Sequence, residues 1–136
     1  MKEENSAGAV IFRIVDNKPL YLLLKARYKS EYWEFPKGLI EVHEEAEETA
    51  LREISEETGL KNIEFVPNFR EKISYYYRRG DQLIHKTVTF YLAEAKTEEI
   101  KLSSEHLEYA WLSYEEARKR LKKNMAELLD NSLLIT

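Results

Sequence analysis

The stretch from Gly38 to Leu60 contains the residue types best suited to chemistry in this chain. Its apolar residues recur at the spacing of one helical face, which predicts a helix from Glu44 to Glu57. Gly59 follows directly, where a helix favours a residue that adopts a left-handed conformation. The predicted apolar stripe consists of Ala46, Ala50 and Ile54, flanked by Leu51.

The same predicted helix carries seven glutamates and one cation, Arg52. Glu56 and Glu57 lie at the negative end of the helix dipole, where acids are disfavoured. Glu53 and Glu57 are like charges one turn apart, which costs roughly 0.2–0.5 kcal/mol. A divalent cation would compensate for this repulsion, because a hard ion prefers oxygen ligands and helical spacing points these three glutamates the same way. The alternative explanation is a solvated acidic face.

The spacing of these residues is more specific than any one of them. Gly38 is followed after five residues by Glu44, and after seven more by the run from Arg52 to Leu60. This pattern resembles the Nudix box at every defining position. The resemblance implies an enzyme that hydrolyses a nucleoside diphosphate linked to another group.

The resemblance also implies roles for individual residues of the box. By the family pattern, Mg²⁺, with Mn²⁺ as an alternative, would bind the carboxylates of Glu53 and Glu57, with Glu56 beside them. The ion would neutralise developing charge and lower the pKa of a bound water. Arg52 would orient the carboxylates with its planar donor fork, a role compatible with an ion pair to Glu48 or Glu56. The carbonyl oxygen of Gly38 is a further candidate ligand.

Two glutamates are candidates for the general base. Glu53 is one, and Glu105, in the segment Ser103-Ser104-Glu105-His106, is the other, since the family has a precedent for an acid in a loop. Plain solvation is the alternative for Glu105. His85 and His106 are expected to be hydrogen-bonded or surface residues, because magnesium prefers oxygen ligands.

Features outside the box resemble diadenosine tetraphosphate hydrolases within this family. The segment Trp33–Gly38 resembles their entry to the box, which mRNA-decapping and RNA-pyrophosphohydrolase relatives share. Tyr77, seventeen residues after Leu60, matches their spacing. One departure is His43, where the family most often has glycine, although histidine tolerates a positive φ better than most residues.

The physical properties of several residues fit a nucleotide substrate. Tyr75 and Tyr77 project to one face of a predicted strand, where an adenine could stack on either, although both could equally pack in the sheet. Four cations are candidates to hold the phosphates away from the metal, with surface exposure as the alternative for each. They are Lys37, Lys86, Arg27 and Arg78.

The expected reaction is therefore asymmetric cleavage of diadenosine tetraphosphate to ATP and AMP, as the resemblance implies. Three alternatives remain open: an RNA 5′-end pyrophosphohydrolase, a (d)NTP pyrophosphatase, and a Nudix-fold nucleotide-binding module without turnover. A module would usually lose glutamates of the box, and all are present here.

Composition bounds the class of protein. The 136 residues predict one domain, 1–136, with a proper core, since 43% of them are apolar. The net charge of -4 makes nucleic acid an unexpected partner. No cysteine, signal peptide or membrane span is recognisable, so a cytoplasmic protein acting on a small molecule is expected, as a monomer or a homodimer.

The order of predicted elements favours an α/β fold, specifically an α/β/α sandwich around a mixed β-sheet. Strands are expected over Ala7–Val15, Leu20–Lys25, Phe65–Arg70, Ile73–Tyr77, Leu83–Ala95 and Tyr109–Leu112, with a polar loop over Arg27–Glu31 and strand and loop over Leu39–His43. Ser113 is expected to cap a helix Tyr114–Leu121, and Asn124 a final helix Met125–Leu134.

Overall fold

The computed structural model describes residues 1–27 and 32–133. Most of the predicted loop Arg27–Glu31, and the final residue of the predicted helix Met125–Leu134, lie outside them. The strands are β1 (Lys2–Val15), β2 (Lys18–Ala26), β3 (Trp33–Glu34), β4 (Lys37–Leu39), β5 (Ile63–Arg79), β6 (Gln82–Ala95) and β7 (His106–Leu112). The helices are α1 (Ala46–Thr58), α2 (Tyr114–Arg120) and α3 (Lys123–Leu133).

Within the described residues the seven strands form one mixed sheet in the order β3-β2-β1-β6-β5, with β4 paired to β1 and β7 paired to β2. β1 and β6 run parallel, and the other pairs are antiparallel. Alternate residues of β1 bury opposite faces, because side chains of a strand point to its two sides in turn. Val10 and Phe12 pack with α2 and α3, whereas Ala9 and Ile11 pack with α1. The α/β/α sandwich is confirmed.

Helix α1 begins two residues later than predicted. Glu45 is its N-cap, and a reciprocal pair of contacts with Glu48 forms a capping box. Gly59 ends the helix with φ 75°, as its position predicted. The predicted flank at Leu51 is wrong, since that side chain is 45% exposed and Thr49 is buried instead.

The chain between Phe65 and Tyr77 corrects the prediction of two strands. It belongs to one strand, β5, whose register with β6 shifts between Phe65 and Arg70. Such a bulge lets one strand continue through residues whose pattern reads as a break. Ser113 caps α2 as predicted, but α3 already begins at Lys123, so Asn124 does not cap it.

Strand pairing brings three residues from distant parts of the chain into one row. Lys86 of β6 pairs with Glu4 of β1 on one side and with Tyr75 of β5 on the other. Tyr77 lies on the same face as Tyr75, two residues along β5. None of the helices within residues 1–27 and 32–133 is long and apolar enough to cross a membrane.

Candidate active site

Arg52 on α1 donates hydrogen bonds to three carboxylates of the box. Its Nε lies 2.7 Å from Glu44 Oε2 and its Nη2 lies 3.0 Å from Glu44 Oε1, so the guanidinium grips this carboxylate with two donors. Nη1 donates to Glu53 Oε2 at 2.7 Å and to Glu56 Oε2 at 3.1 Å. Nη2 also donates to the carbonyl oxygen of Leu39 at 3.0 Å. One cation thus fixes three acids and ties the helix to β4.

The side chain of Glu53 lies directly against the backbone at Gly38. A Cβ atom added at Gly38 would overlap the carboxylate of Glu53, so the glycine leaves the space that this carboxylate occupies against β4. Glu53 is largely buried, with 13% of its side chain exposed. Gly38 therefore admits the Glu53 carboxylate to the interior, where the arginine holds it.

Glu57 is the most buried acid of the box, with 5% of its side chain exposed. Burial, a hydrogen bond with Glu53 and the negative charge of Glu53 all raise the pKa of Glu57 far above its usual range. The charges of Glu34 and Glu105 act in the same direction. Without a cation, the Glu57 carboxyl keeps its proton rather than ionise beside Glu53.

Glu44, at the other end of the same helix, has the opposite electrostatics. The hydrogen bonds from Arg52, from the backbone at Glu41 and from Thr49 lower the pKa of Glu44 to about 2. Glu44 lies in the loop before the helix, which includes His43 with a φ of 72°. The histidine tolerates the left-handed conformation that a glycine usually supplies here, so the departure at this position leaves the loop intact.

Three residues surround Glu57 on the side away from Arg52. His106 Nε2 lies 2.7 Å from Glu34 Oε2 and 3.8 Å from Glu57 Oε1. Lys37 Nζ lies 3.7 Å from Glu34 Oε1. Burial alone would raise the pKa of Glu34, but the hydrogen bond from His106 and the charge of Lys37 outweigh it and lower that pKa. Glu34 is therefore ionised, and the histidine Nε2 is the donor.

A cavity of about 230 Å³ opens over this group and includes Glu105. Glu105 is exposed in the turn before β7, where its backbone carbonyl accepts a hydrogen bond from Arg27 N at 3.0 Å. Arg27 Nε also donates to the carbonyl oxygen of Ser104 at 2.7 Å, so this arginine holds the loop. The cavity is lined by Ala26, Tyr32, Glu34, Lys37, Glu57, Glu105 and His106.

A larger cavity of about 510 Å³ adjoins the first, and Tyr32, Glu34 and Lys37 line both. Tyr75 and Tyr77 form part of its wall, with ring centroids 6.3 Å apart and planes tilted by 41°. The remaining lining residues are Trp33, Phe35, Tyr76, Lys86, Phe90, Lys122, Asn124 and Met125. An aromatic, cationic pocket thus continues into a carboxylate-lined one.

Comparison with known proteins decides the family. The model of the NUDIX domain family matches residues 4–132. The chain belongs to the Nudix family. A mouse bis(5′-nucleosyl)-tetraphosphatase (asymmetrical) is 39% identical over 122 residues, which cover 82% of this chain and 80% of the mouse protein. A Sphingopyxis alaskensis RNA pyrophosphohydrolase is 41% identical over 59 residues, covering 42% of this chain and 36% of the relative.

A solved structure resembles this Nudix domain over nearly its whole length. The crystal structure of a Caenorhabditis elegans Ap4A hydrolase binary complex superposes with a TM-score of 0.85 at 28% identity. It covers 96% of this chain and 97% of the other. The Nudix fold predicted from the box is confirmed.

The structure of this Nudix domain gathers most of the predicted site residues and separates a few. Glu53, Glu57 and Gly38 lie together, whereas Glu56 is 53% exposed and bonds to Arg52. Of the two predicted partners for an ion pair with Arg52, Glu56 is confirmed, whereas Glu48 caps the helix. Arg27 and Arg78 line neither cavity. Tyr75, Tyr77, Lys86, Lys37 and Glu105 all line one of the two cavities.

Both histidines are hydrogen-bonded, as expected. His106 pairs with Glu34, and His85 Nδ1 lies 2.8 Å from Glu3 Oε1 while its ring stacks on Tyr76. Sequence reasoning missed Glu34 as a site residue, although it lies inside the segment Trp33–Gly38 that resembled the subfamily. It also missed the carboxylate of Glu4, which comes from the far end of the chain.

The donors around Glu57 fit a divalent metal ion, which Nudix hydrolases generally use. Within residues 1–27 and 32–133, no three acidic or histidine side chains already converge on one point as a complete metal cage. Glu53 and Glu57 nonetheless provide adjacent carboxylate oxygens, and burial together with the neighbouring charge of Glu53 raises the pKa of Glu57. Hard oxygen donors with excess negative charge suit such an ion.

Proposed function

We propose that this chain hydrolyses diadenosine tetraphosphate asymmetrically, to ATP and AMP, with Mg²⁺ as its cofactor. The observation that carries the proposal is the continuity of two cavities, one lined by tyrosines and lysines and the other by carboxylates. A nucleoside in the first would extend its phosphates past Lys37 into the second. The mouse and nematode relatives support the same substrate.

The larger cavity provides groups for the nucleoside and its first phosphates. Tyr75 and Tyr77 offer ring faces for an adenine, since a stacked base is worth roughly 1–3 kcal/mol. Lys86 is 87% buried by its neighbours and Lys37 is 74% buried, so both ammonium groups are positioned rather than free in solvent. They would neutralise phosphate oxygens as point charges.

The acids lie in and beside the smaller cavity: Glu57 lines it, and Glu53 is hydrogen-bonded to Glu57. Glu53 and Glu57 would hold the metal ion, with Glu56 and the Gly38 carbonyl oxygen as further candidates. The bound ion would neutralise developing phosphate charge and lower the pKa of a water molecule. Arg52 keeps Glu53 in place through its 2.7 Å hydrogen bond. Glu105, across the cavity from the helix, and Glu53 are the candidates to accept a proton from the attacking water.

The size of the pocket favours a small dinucleotide over RNA. An RNA strand needs a cationic channel that continues along its backbone. Here the cationic lining is confined to a cavity of about 510 Å³ on a chain of net charge -4. Matches to RNA pyrophosphohydrolases cover 42% and 62% of this chain, against 82% for the mouse tetraphosphatase.

A parallel assay tests the proposal. Diadenosine tetraphosphate, 5′-triphosphate RNA and dNTPs are offered at equal concentration, with magnesium and with EDTA, in water enriched in ¹⁸O. We expect the dinucleotide to give ATP and AMP, with the highest kcat/KM and only in the presence of magnesium. The label in one product identifies the phosphate attacked. Faster cleavage of the RNA would contradict the substrate, and binding without products would indicate a module that does not turn over.

A further inference from the structure

The far wall of the larger cavity is supported by a buried carboxylate that no box residue contributes. Glu4 on β1 is 8% exposed and lies behind the wall rather than in it. The hydroxyl of Tyr77 donates to Glu4 Oε1 at 2.8 Å, and Lys86 Nζ lies 3.5 Å from the same oxygen. Arg79 Nη2 lies 3.0 Å from Glu4 Oε2. One carboxylate thus contacts both a candidate stacking ring and a candidate phosphate-binding cation.

The ring of Tyr77 is held at its hydroxyl and over its face. Arg79 Nη2 donates to the Tyr77 hydroxyl oxygen at 2.7 Å, and the Arg79 guanidinium lies 5.7 Å from the ring centroid. The phenol therefore has both a fixed acceptor and a fixed donor, which restricts rotation of the ring. Glu4 is the acceptor in this arrangement, and it also neutralises the arginine.

The electrostatics at Lys86 also indicate that Glu4 stabilises its neighbours. Burial and the nearby positive charge of Lys37 lower the pKa of Lys86, whereas Glu4 opposes that shift. The hydrogen bond from Tyr77 lowers the pKa of Glu4 despite its burial, so this carboxylate is charged at neutral pH. Removing it would leave Lys86 and Arg79 as adjacent cations without an anion between them.

We infer that Glu4 is a positioning residue for nucleotide binding, which holds the Tyr77 ring and the Lys86 ammonium in the geometry that a nucleoside polyphosphate meets. The inference rests on the proposed function, because it concerns the same cavity. It extends that function by making the first strand, remote from the box in sequence, a determinant of nucleotide affinity. Glu4 acts through its neighbours and lines neither cavity itself.

Three variants of the full chain test this role. Glu4→Leu removes the acceptor and the charge, Glu4→Gln keeps an acceptor oxygen, and Glu3→Leu is the matched control. Glu3 is the neighbouring acid on the same strand, but it is exposed and pairs with His85 on the opposite face. The probe is a methylene-bridged, non-hydrolysable analogue of diadenosine tetraphosphate, with binding measured by titration calorimetry and folding by thermal denaturation.

We expect Glu4→Leu to weaken binding of the analogue by at least about tenfold, since hydrogen bonds to charged groups are among the stronger ones. In turnover of diadenosine tetraphosphate, its KM should rise by a similar factor, while kcat falls less than about threefold. Glu4→Gln should recover part of the affinity, and Glu3→Leu should bind like the wild type. A lower melting temperature with unchanged affinity would overturn the inference.

A double-mutant cycle tests whether Glu4 acts through the hydroxyl of Tyr77. Tyr77→Phe removes the hydroxyl that donates to Glu4, so its effect on affinity and that of Glu4→Leu should be less than additive. Strictly additive losses would overturn the part of the inference that runs through Tyr77. If the wild-type protein itself fails to bind the analogue, the proposed substrate is wrong. If it binds and Glu4→Leu binds equally well, only the positioning role is wrong.

Discussion

The two ends of helix α1 place the same side chain in opposite electrostatic environments. Glu44, just before the helix, receives two donors from Arg52 and one from Thr49, and its pKa falls to about 2. Glu57, in the last turn, is buried beside Glu53, and its pKa rises far above its usual range. Glu44 already has its cation, and Glu57 has none within the described residues of the helix.

This difference separates an acid that builds the site from an acid that is available for a ligand. An ionised and fully hydrogen-bonded carboxylate such as Glu44 is a structural anchor, because its lone pairs are occupied. A carboxyl that holds its proton because it is buried beside another acid, as Glu57 does, can release that proton when a cation binds. The helix therefore carries an anchor at its start and a candidate ligand at its end, joined by Arg52.

The largest effect is expected from Glu57→Gln. The substitution keeps the shape of the side chain but removes the anionic oxygen, so activity on diadenosine tetraphosphate should fall by at least about 100-fold, beyond what outer-shell changes usually cost. Folding should survive, because a neutral amide avoids burying a charge. Steady-state rates and thermal denaturation measure the two quantities. Glu47→Gln, an exposed acid in the first turn, is the control and should behave as wild type.

Near-wild-type turnover by Glu57→Gln would show that Glu57 is not a metal ligand, so it would not differ in role from Glu44. In that case Glu57 would be a structural acid, as Glu44 is. If Glu57→Gln loses both activity and folding, Glu57→Met is tested in its place, because methionine removes the polar group and fills a similar volume.

A smaller effect is expected at the connection between the two ends. Arg52→Lys keeps the charge but cannot reach Glu44, Glu53 and Glu56 together, since an ammonium lacks the planar fork. We expect kcat to fall roughly 10–100-fold, the usual cost of losing a group that orients ligands. The control is Arg118→Lys, because Arg118 grips Asp130 with a similar fork far from the site. Equal kinetics for the two variants would show that Arg52 contributes only a charge.

The box could be predicted from the sequence because its members are close together along the chain. Helical spacing alone brings Arg52, Glu53 and Glu57 together, and Gly38, a few residues earlier in the box, lies against Glu53. The α/β/α layers followed from the order of the predicted strands and helices. Leu51 was misassigned because a single apolar residue on a helix can face solvent without a large penalty.

The rest of the site depends on contacts across long sequence separations. His106 and Glu34 are 72 positions apart, and Tyr77 and Glu4 are 73 apart. Strand order and register create these pairs, and register cannot be deduced from the pattern of one strand alone. The bulge in β5 made the same point, since its residues read as two strands. Tyr77 was found only because its spacing from the box resembled a subfamily.

The smallest effect concerns stability and pH in EDTA-containing buffer. The folded-state pKa of Glu57 is raised above its unfolded value, so the native state holds a proton that the unfolded state has released. Unfolding free energy should therefore decrease as pH rises above about 4.5, with a slope of at most about 1.4 kcal/mol per pH unit from this group. Glu57→Gln lacks this titration, so the variant should gain stability relative to wild type as the pH rises from about 5 towards about 8.

Urea denaturation at several pH values measures that difference, and magnesium provides the second comparison. Binding of the ion to the ionised carboxylates stabilises the folded state by mass action, so it should raise the stability of the wild type and have less effect on Glu57→Gln. Glu44 gives the opposite sign, because a lowered pKa contributes stability that is lost as pH falls below about 4.5 towards about 2. Parallel pH curves for wild type and Glu57→Gln would mean that folding does not raise the pKa of Glu57 in the metal-free protein, which would remove its half of the contrast with Glu44.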